Sequence, residues 1–320
     1  KWSLTSGREI IFLPLFLLCC RLRPAGAASV TARYTPPSVP RLTDVFPHIS
    51  FAQGFSPSYG GANVKLADNG SFASLALDRS SGSGMVSRKK YNYGFFSAAI
   101  RLPPGFTSGV VVAFYLSNSD AFPHNHDEID IELLGHERGR EWVLQTNMYG
   151  NGDVKTGREE KFRLWFDPSQ YYHHYSIIWN SHHIVFLVDS IPVREVVRGA
   201  AIASAYPAKP MSVHATIWDG SQWATRGGKY PVDYRYAPFV ASFGEMEMEG
   251  CAVMDNPQAG GGLCSKGGGP SRVDPVEGGR FVKLSPQQTT GLQWARRKLM
   301  FYSYCTDSTR FKVPPPECHS

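Results

Sequence analysis

The sequence predicts an all-β protein, an antiparallel sandwich, on three observations. Short apolar runs separated by turn residues recur from Phe46 to Phe243. No long helical period interrupts them, which argues against βαβ units. The 320 residues include 31 glycines, 23 prolines and 13% aromatics, a composition that suits one large β domain with an appendage. A chain of this length buries a sizeable core.

The elements follow in chain order. Residues 1–28 read as a secretory signal. Lys1 and Arg8 precede the apolar run Ile10–Cys20, and Ala25-Gly26-Ala27 offers a cleavage site. The run is too short for an ordinary membrane span. An N-terminal anchor is the competing reading, because Arg21 and Arg23 are unusual before a cleavage site. The mature protein is expected outside the cell, with no membrane segment. The leader carries about half of the formal charge of +6. The remaining excess says little about partners, and with no extended Lys/Arg run or nucleic-acid motif, nucleic acid is set aside. Residues 29–45 are rich in Pro, Thr and Ser and read as a flexible lead-in.

Residues 46–249 form the expected β domain. Strands are predicted at Ser71–Leu77, Lys90–Leu102, Gly109–Leu116, Glu128–Leu134, Trp142–Tyr149 and Tyr175–Trp179. A hairpin follows, Ile184–Val188 turning at Asp189-Ser190 into Ile191–Val197, then Met211–Trp218 and Ala237–Glu249. Asn69-Gly70-Ser71 is a glycosylation sequon on a surface turn. Trp165 and Trp179, inside apolar runs, are expected in the core, whereas Trp218 and Trp223 are candidates to stack on sugar faces.

Glu128-Ile129-Asp130-Ile131-Glu132 carries the chemistry. On a strand, alternate side chains share a face, so the three acids line one surface while the isoleucines enter a core. Three acids on one face repel, so folding alone does not select them. A solvated polar face is the bland alternative, but the neighbourhood is apolar and aromatic. Two carboxylates flanking one bond are what retaining glycoside cleavage needs, and a third between them holds a shared proton. Their Cα atoms, four residues apart, stand ~13 Å from one another on a strand, against the ~5–5.5 Å between the carboxyl groups of retaining enzymes. The strand must therefore curve and both glutamates lean inward. His124 and His126 flank the motif, but their spacing fits no catalytic zinc site. They read as a polar strand edge or as hydrogen-bonding near Asp127.

Residues 250–320 form an extension that is expected to pack separately on the sandwich. Cys251, Cys264, Cys305 and Cys318 permit three pairings. Local pairing, Cys251 with Cys264 and Cys305 with Cys318, closes two short loops and is favoured over zinc binding. A short helix is predicted over Pro286–Leu299, with Ser285 as N-cap and Gln288 three residues on.

The chain resembles the plant xyloglucan endotransglucosylase/hydrolases of glycoside hydrolase family sixteen. HDEIDIELLG is similar to their catalytic motif. SGSGMVSRKKYNYGFF, QTNMYGNG, GREEKFRLWFDPS, WDGSQWATRGGKY and the terminal MFYSYCTDSTRF are similar in the same order, over about residues 48–318. The resemblance implies a curved β-jelly roll with a concave substrate cleft. It implies Glu128 as nucleophile, Asp130 as helper and Glu132 as general acid/base. It implies substrate contacts at Gln145, Thr146, Asn147, Gly157, Arg158, Glu159, Gln222, Trp223, Gly227 and Arg310. Arg158 also reads as a solvated charge or a partner for Glu159. Neither a metal nor another cofactor is expected.

Departures from the family pattern are visible. Ile131 and Leu133 stand where phenylalanine is commoner. Gly157 and Gln222 replace Asn and Asp, and His136-Glu137-Arg138 replaces a frequent sugar-bearing asparagine after Gly135. The extension and cysteine pattern look like the family's third subgroup. The long loop insertion that accompanies hydrolysis in some members is absent between Met148 and Arg158, which favours transfer. A monomeric enzyme that transfers between xyloglucan donor and acceptor chains in the cell wall is expected. A xyloglucan hydrolase and a non-catalytic wall-glycan binder are the alternatives.

Overall fold

The computed structural model describes residues 34–137, 141–253 and 275–319. Its strands are β1 (Phe55–Tyr59), β2 (Val64–Ala67), β3 (Phe72–Leu77), β4 (Ser83–Arg101), β5 (Val110–Ser117), β6 (Glu128–Leu134) and β7 (Val143–Tyr149). They continue with β8 (Glu160–Arg163), β9 (His173–Trp179), β10 (His183–Val188), β11 (Ile191–Val197), β12 (Met211–Asp219), β13 (Phe239–Val253) and β14 (Met300–Ser303). The longer helix is α2 (Pro286–Lys298), after a single turn, α1 (Phe51–Gly54). Every strand pairing is antiparallel among the described residues.

Two layers share one long strand. The N-terminal half of β4 pairs with β12 and begins the cleft layer, β4-β12-β5-β6-β7-β8-β14. Its C-terminal half pairs with β9 and β13 and belongs to the back layer, which runs from β11 through β10 and β9 to β13, β3 and β2. Tyr93, at φ 73, marks the bend between the halves. Phe114, Ile131 and Met148 of the cleft layer and Trp179, Phe186 and Val188 of the back layer close one buried cluster. Alternation sets which residues enter it, and each fully buried aromatic contributes a few kcal/mol by leaving water. Trp165 and Trp179 are both buried in it, as expected.

Four strands escape the sequence pattern. β1 and β2 are short edges with exposed positions, β8 is masked by its charges, and β14 lies in the tail. Strand β4 begins seven residues before the predicted start, at Ser83 rather than Lys90. Gly82-Ser83-Gly84 reads as a turn, yet Gly84 sits inside the strand, where a Cβ would lie 2.5 Å from the Tyr59 ring.

The helix matches its prediction to one residue. Ser285 accepts from the Gln288 amide and Gln288 accepts from the Ser285 amide, a full capping box. The tail is not a separate lobe. Its strand β14 pairs with β8 and lengthens the cleft layer, and Ala295 and Leu299 enter the main core. Cys305 and Cys318 are bonded. Cys251 is also disulfide-bonded, while Cys264 lies outside the described residues. The described part of the lead-in is packed rather than loose. Leu42 is buried against Val185 and Leu187, and its amide donates to Ser190 Oγ at 3.0 Å. The signal segment, residues 1–28, falls outside the described residues.

Glu247 on β13 is fully buried, and burial pushes it up to about 8, opposed by the Ser97 hydroxyl and by Arg41 and aided by Glu245 and Asp44. A carboxyl whose folded pKa is raised holds a proton that the unfolded chain releases near its ordinary value. Its stabilising effect is complete below that ordinary value and is lost as pH rises towards about 8. Urea midpoints of the wild type should therefore fall between pH 5 and 8 more steeply than those of Glu247→Gln, whose amide does not titrate. Parallel slopes for the two proteins refute this account.

Candidate active site

Strand β6 lies between β5 and β7, paired along its whole length. Ile129, Ile131 and Leu133 are at most 1% exposed and fix its core face. The opposite parity sends Glu128, Asp130 and Glu132 into one cavity of about 610 Å³. Register then dictates the neighbours. Glu128 faces Ser117 and Tyr149, Asp130 faces Tyr115 and Asn147, and Glu132 faces Ala113 and Gln145. The row through Glu132 continues from Gln145 to Lys161 and Tyr302 on one side, and from Ala113 to Thr216 on the other. All of these except Ser117 line the cavity, together with Tyr59, Glu159, Trp218, Trp223 and Arg310.

The N-terminal end of β6 is pinned by a buried carboxylate. Asp127 accepts from the amides of Asn151 at 2.8 Å, and of Ala208 and Lys209 at 2.9 Å, and it pairs with Lys209 Nζ at 2.7 Å. No histidine serves it. His126 instead points Nε2 to within 3.9 Å of Glu128 Oε2. Among the described residues no cluster of His, Cys, Asp and Glu has the arrangement of a metal site.

Burial raises all three acids, but their partners differ. Glu132 is pushed up to about 7 by burial, although Gln145 Nε2 donates to its Oε2 at 2.6 Å and opposes the rise. Asp130 is raised well above its usual range by burial and then by the charges of Glu128 and Glu132. Glu128 is raised by burial against the Ser117 hydroxyl and the nearby His126, both of which favour its charge. Three acids this close titrate as a unit. The arrangement leaves Glu128 the best supported as an anion and Glu132 poised to donate a proton near neutrality.

The structure sorts the other predicted residues by strand parity. Gln145 and Asn147 line the cavity, but Thr146 between them faces the core, fully buried, with its Oγ1 accepting from Arg194 at 3.2 Å. Thr146 is therefore no sugar contact, since three successive strand residues cannot share a face. Arg158 is buried too. It neither meets solvent nor pairs with Glu159, but binds Glu317 at 2.6 Å and Asp153 at 3.1 Å, outside the cavity lining. Gly157 does not line the cavity either, and a Cβ there would collide with the Glu159–Arg310 pair. Glu159 and Arg310 line the cavity as an ion pair at 2.5 Å. Trp223 lines it, whereas Gln222 and Gly227 are exposed and outside the lining.

Sequence reasoning missed the aromatic walls Tyr59, Tyr115, Tyr149 and Tyr302, and the cation Lys161. Tyr115 and Tyr149 share the parity of the acids once the β5-β6-β7 register is known.

Residues 51–236 match the model of the glycosyl hydrolases family 16, and residues 275–318 match that of the xyloglucan endo-transglycosylase (XET) C-terminus. The chain belongs to glycosyl hydrolase family 16. The probable xyloglucan endotransglucosylase/hydrolase protein 30 of Arabidopsis thaliana is 47% identical, over 84% of this chain and 77% of its own. Xyloglucan endotransglucosylase/hydrolase protein 31 of the same plant is 38% identical over 97% of this chain and 99% of its own. In fold, the Bacillus licheniformis β-glucanase superposes with a TM-score of 0.51 at 22% identity, covering 63% of this chain and 95% of its own. This family 16 member is thus an enzyme of the glycosidase and transglycosylase kind, of the xyloglucan endotransglucosylase/hydrolase branch.

The family 16 cleft has an apolar step at one rim. Trp218, Val111, Leu134 and Val143 form one cross-strand row, and the loop bearing Trp223 covers it. Thr225 staples that loop, accepting from the Gly109 amide and donating to the Gly135 carbonyl, both at 2.7 Å. Arg226 adds an ion pair to Glu137 at 2.6 Å. Such half-exposed pairs contribute little stability, so this one matters for where Trp223 sits. Reversing either charge, Glu137→Arg or Arg226→Glu, should raise KM for polymer about fivefold with kcat nearly unchanged, for about 1 kcal/mol of lost positioning. The double reversal should restore KM, and a double variant as weak as the singles rules out the tie.

The family resemblance makes Glu132 the general acid; on that reading it must be protonated, and the rate should fall as pH climbs past about 7. Glu132→Gln should lower turnover by roughly 10²–10⁴ and flatten that limb. An unchanged alkaline limb in this variant would assign it to another group.

Proposed function

We propose that this enzyme is a xyloglucan endotransglucosylase, exported to the cell wall, that works by a retaining two-step exchange. The observation that carries the reading is the acid trio facing one cavity, with Glu132 pushed up to about 7 beside a hydrogen-bonded Glu128. Glu128 attacks the anomeric carbon of a backbone β-1,4-glucosyl unit while Glu132 protonates the departing chain end. Asp130, between them, keeps a shared proton that lets the two end carboxyls differ. Glu132 then takes the proton of an acceptor 4-hydroxyl, which displaces Glu128 and reforms the same bond type.

Two features support transfer over hydrolysis. The tail places Tyr302 and Arg310 on the cavity wall, extending it beyond the catalytic strands and adding polar groups for an incoming chain. Strands β7 and β8 are joined by a short connection, Gly150 to Glu159, without the insertion read as a hydrolase feature. Hydrolysis is the second reading, in which water takes the acceptor's place. A non-catalytic binder does not need three acids held at this cost in burial.

Incubation with xyloglucan and a labelled xyloglucan oligosaccharide separates the readings. Label should enter long chains. New reducing ends with unlabelled polymer would make the enzyme a hydrolase. Glu128→Ala should abolish both outcomes, and appreciable residual turnover removes Glu128 as nucleophile.

A further inference from the structure

A second concavity, of about 510 Å³, shares no lining residue with the catalytic cavity. His48, Ser50 and Gln53 form one wall, and Glu245 with Phe72 another. Ile49 and Met246 also line it, as do Asn69 and Ser71, which are both exposed. They are the first and third residues of the sequon Asn69-Gly70-Ser71, at the tip of the turn between β2 and β3. We propose that Asn69 carries an N-linked glycan whose first N-acetylglucosamine lies along this groove. The proposal rests on the export reading above.

The groove has the chemistry of a sugar site. An imidazole, a hydroxyl, a primary amide and a carboxylate offer donors and acceptors for hydroxyl and acetamido groups. Phe72 supplies a ring for an apolar sugar face and makes a tilted contact with Tyr172 at a centroid distance of 5.9 Å. Gly70, between the two sequon residues, is buried against Ala52, so the tip cannot swing away from the wall that carries Gln53. The position also makes structural sense. Among the described residues β2 pairs only with β3, leaving its other edge open, with Leu66 46% exposed. An open edge invites pairing with another chain, and a bulky polar group at its end discourages that. The modification itself joins Asn69 Nδ2 to the anomeric carbon of N-acetylglucosamine. A lipid-linked pyrophosphoryl oligosaccharide is the donor, its pyrophosphate leaves, and the amide loses one proton.

The test is the full chain secreted from a eukaryotic host, with glycopeptide mapping of Asn69. Asn69 should be occupied, and trimming to a single N-acetylglucosamine should leave the Tm unchanged. Asn69→Gln and Ser71→Ala, which both abolish the sequon, should lower the Tm by about 2–4 °C. Hydrogen exchange should quicken at residues 48–53 in both variants. Gln53→Ala, still glycosylated, should lose part of the same protection. An unoccupied Asn69 overturns the proposal outright. An occupied Asn69 whose loss changes neither Tm nor exchange overturns the groove contact. The labelled-acceptor assay on the same preparations should be unaffected, so failure here is distinct from failure of the transfer reading.

Discussion

The burial of Ile129 and Ile131 is the constraint on which the site depends. Two fully buried isoleucines hold β6 in register between β5 and β7. With that face satisfied, the other residues of the strand have no freedom to turn away. Glu128, Asp130 and Glu132 must share a groove walled by tyrosines and tryptophans, where their charges are poorly solvated. Hydrophobic packing on one side of a strand thereby creates electrostatic strain on the other. The strain is partitioned by single hydrogen bonds, Ser117 for Glu128 and Gln145 for Glu132, and by the like charges around Asp130. Proton affinity follows from that partition, and on the proposed mechanism the catalytic roles follow from proton affinity.

The same two-faced logic binds the tail. Arg158, Glu159 and Glu160 are consecutive, and each meets a residue of the extension. Glu159 faces the cavity and takes Arg310. Arg158 and Glu160 turn inward, to Glu317 at 2.6 Å and to Arg296 at 2.8 Å. Arg194 ties the inner pair together, donating to the Arg158 carbonyl at 2.7 Å and lying 3.6 Å from Glu160. Arg194 and Arg296, with the Ser303 hydroxyl, hold the Glu160 carboxyl below its usual range despite burial. Buried pairs add little net stability compared with apolar packing, but leaving one partner unpaired costs about 3–5 kcal/mol. The network therefore fixes where the tail attaches more than it strengthens the fold. β14 is delivered beside β8, and Tyr302 and Arg310 reach the cavity.

Much of this was legible, and the failures share a cause. The acid strand, the sandwich, the capped helix and the core tryptophans announce themselves through local periodicity and capping chemistry. What periodicity cannot give is register between strands. The family resemblance implies contacts at Gln145, Thr146 and Asn147 alike, although strand parity alone excludes Thr146. Arg158 was read as solvated or paired to its neighbour because its partner Glu317 lies 159 positions away. Tyr115 and Tyr149 were overlooked because nothing in their own strands marks them until Asp130 and Glu128 are placed opposite. Strand β8 was hidden because Glu160 and Lys161 look like a solvated turn, when one is a buried ion-pair partner and the other a cleft residue.

The placement of Arg310 bears on the choice between water and sugar. Water reaches an opened glycosyl-enzyme at ~55 M without being held by anything. A sugar hydroxyl competes only when it is held, and well-oriented neighbours attain effective molarities of about 10⁵–10⁸ M. Even a small part of that advantage exceeds the concentration of water. The groups available to hold an incoming chain in this cavity include Gln145 and Lys161 on the sheet and Tyr302 and Arg310 on the tail. Of the tail groups, Tyr302 is held by the pairing of β14 with β8, and Arg310 by its pair with Glu159 and the Cys305–Cys318 closure of its loop. A chain that slid over mobile groups would gain little over water. On the transfer reading, then, the ions that seat the extension do chemical work at a distance. They convert binding of a second chain into orientation of one hydroxyl.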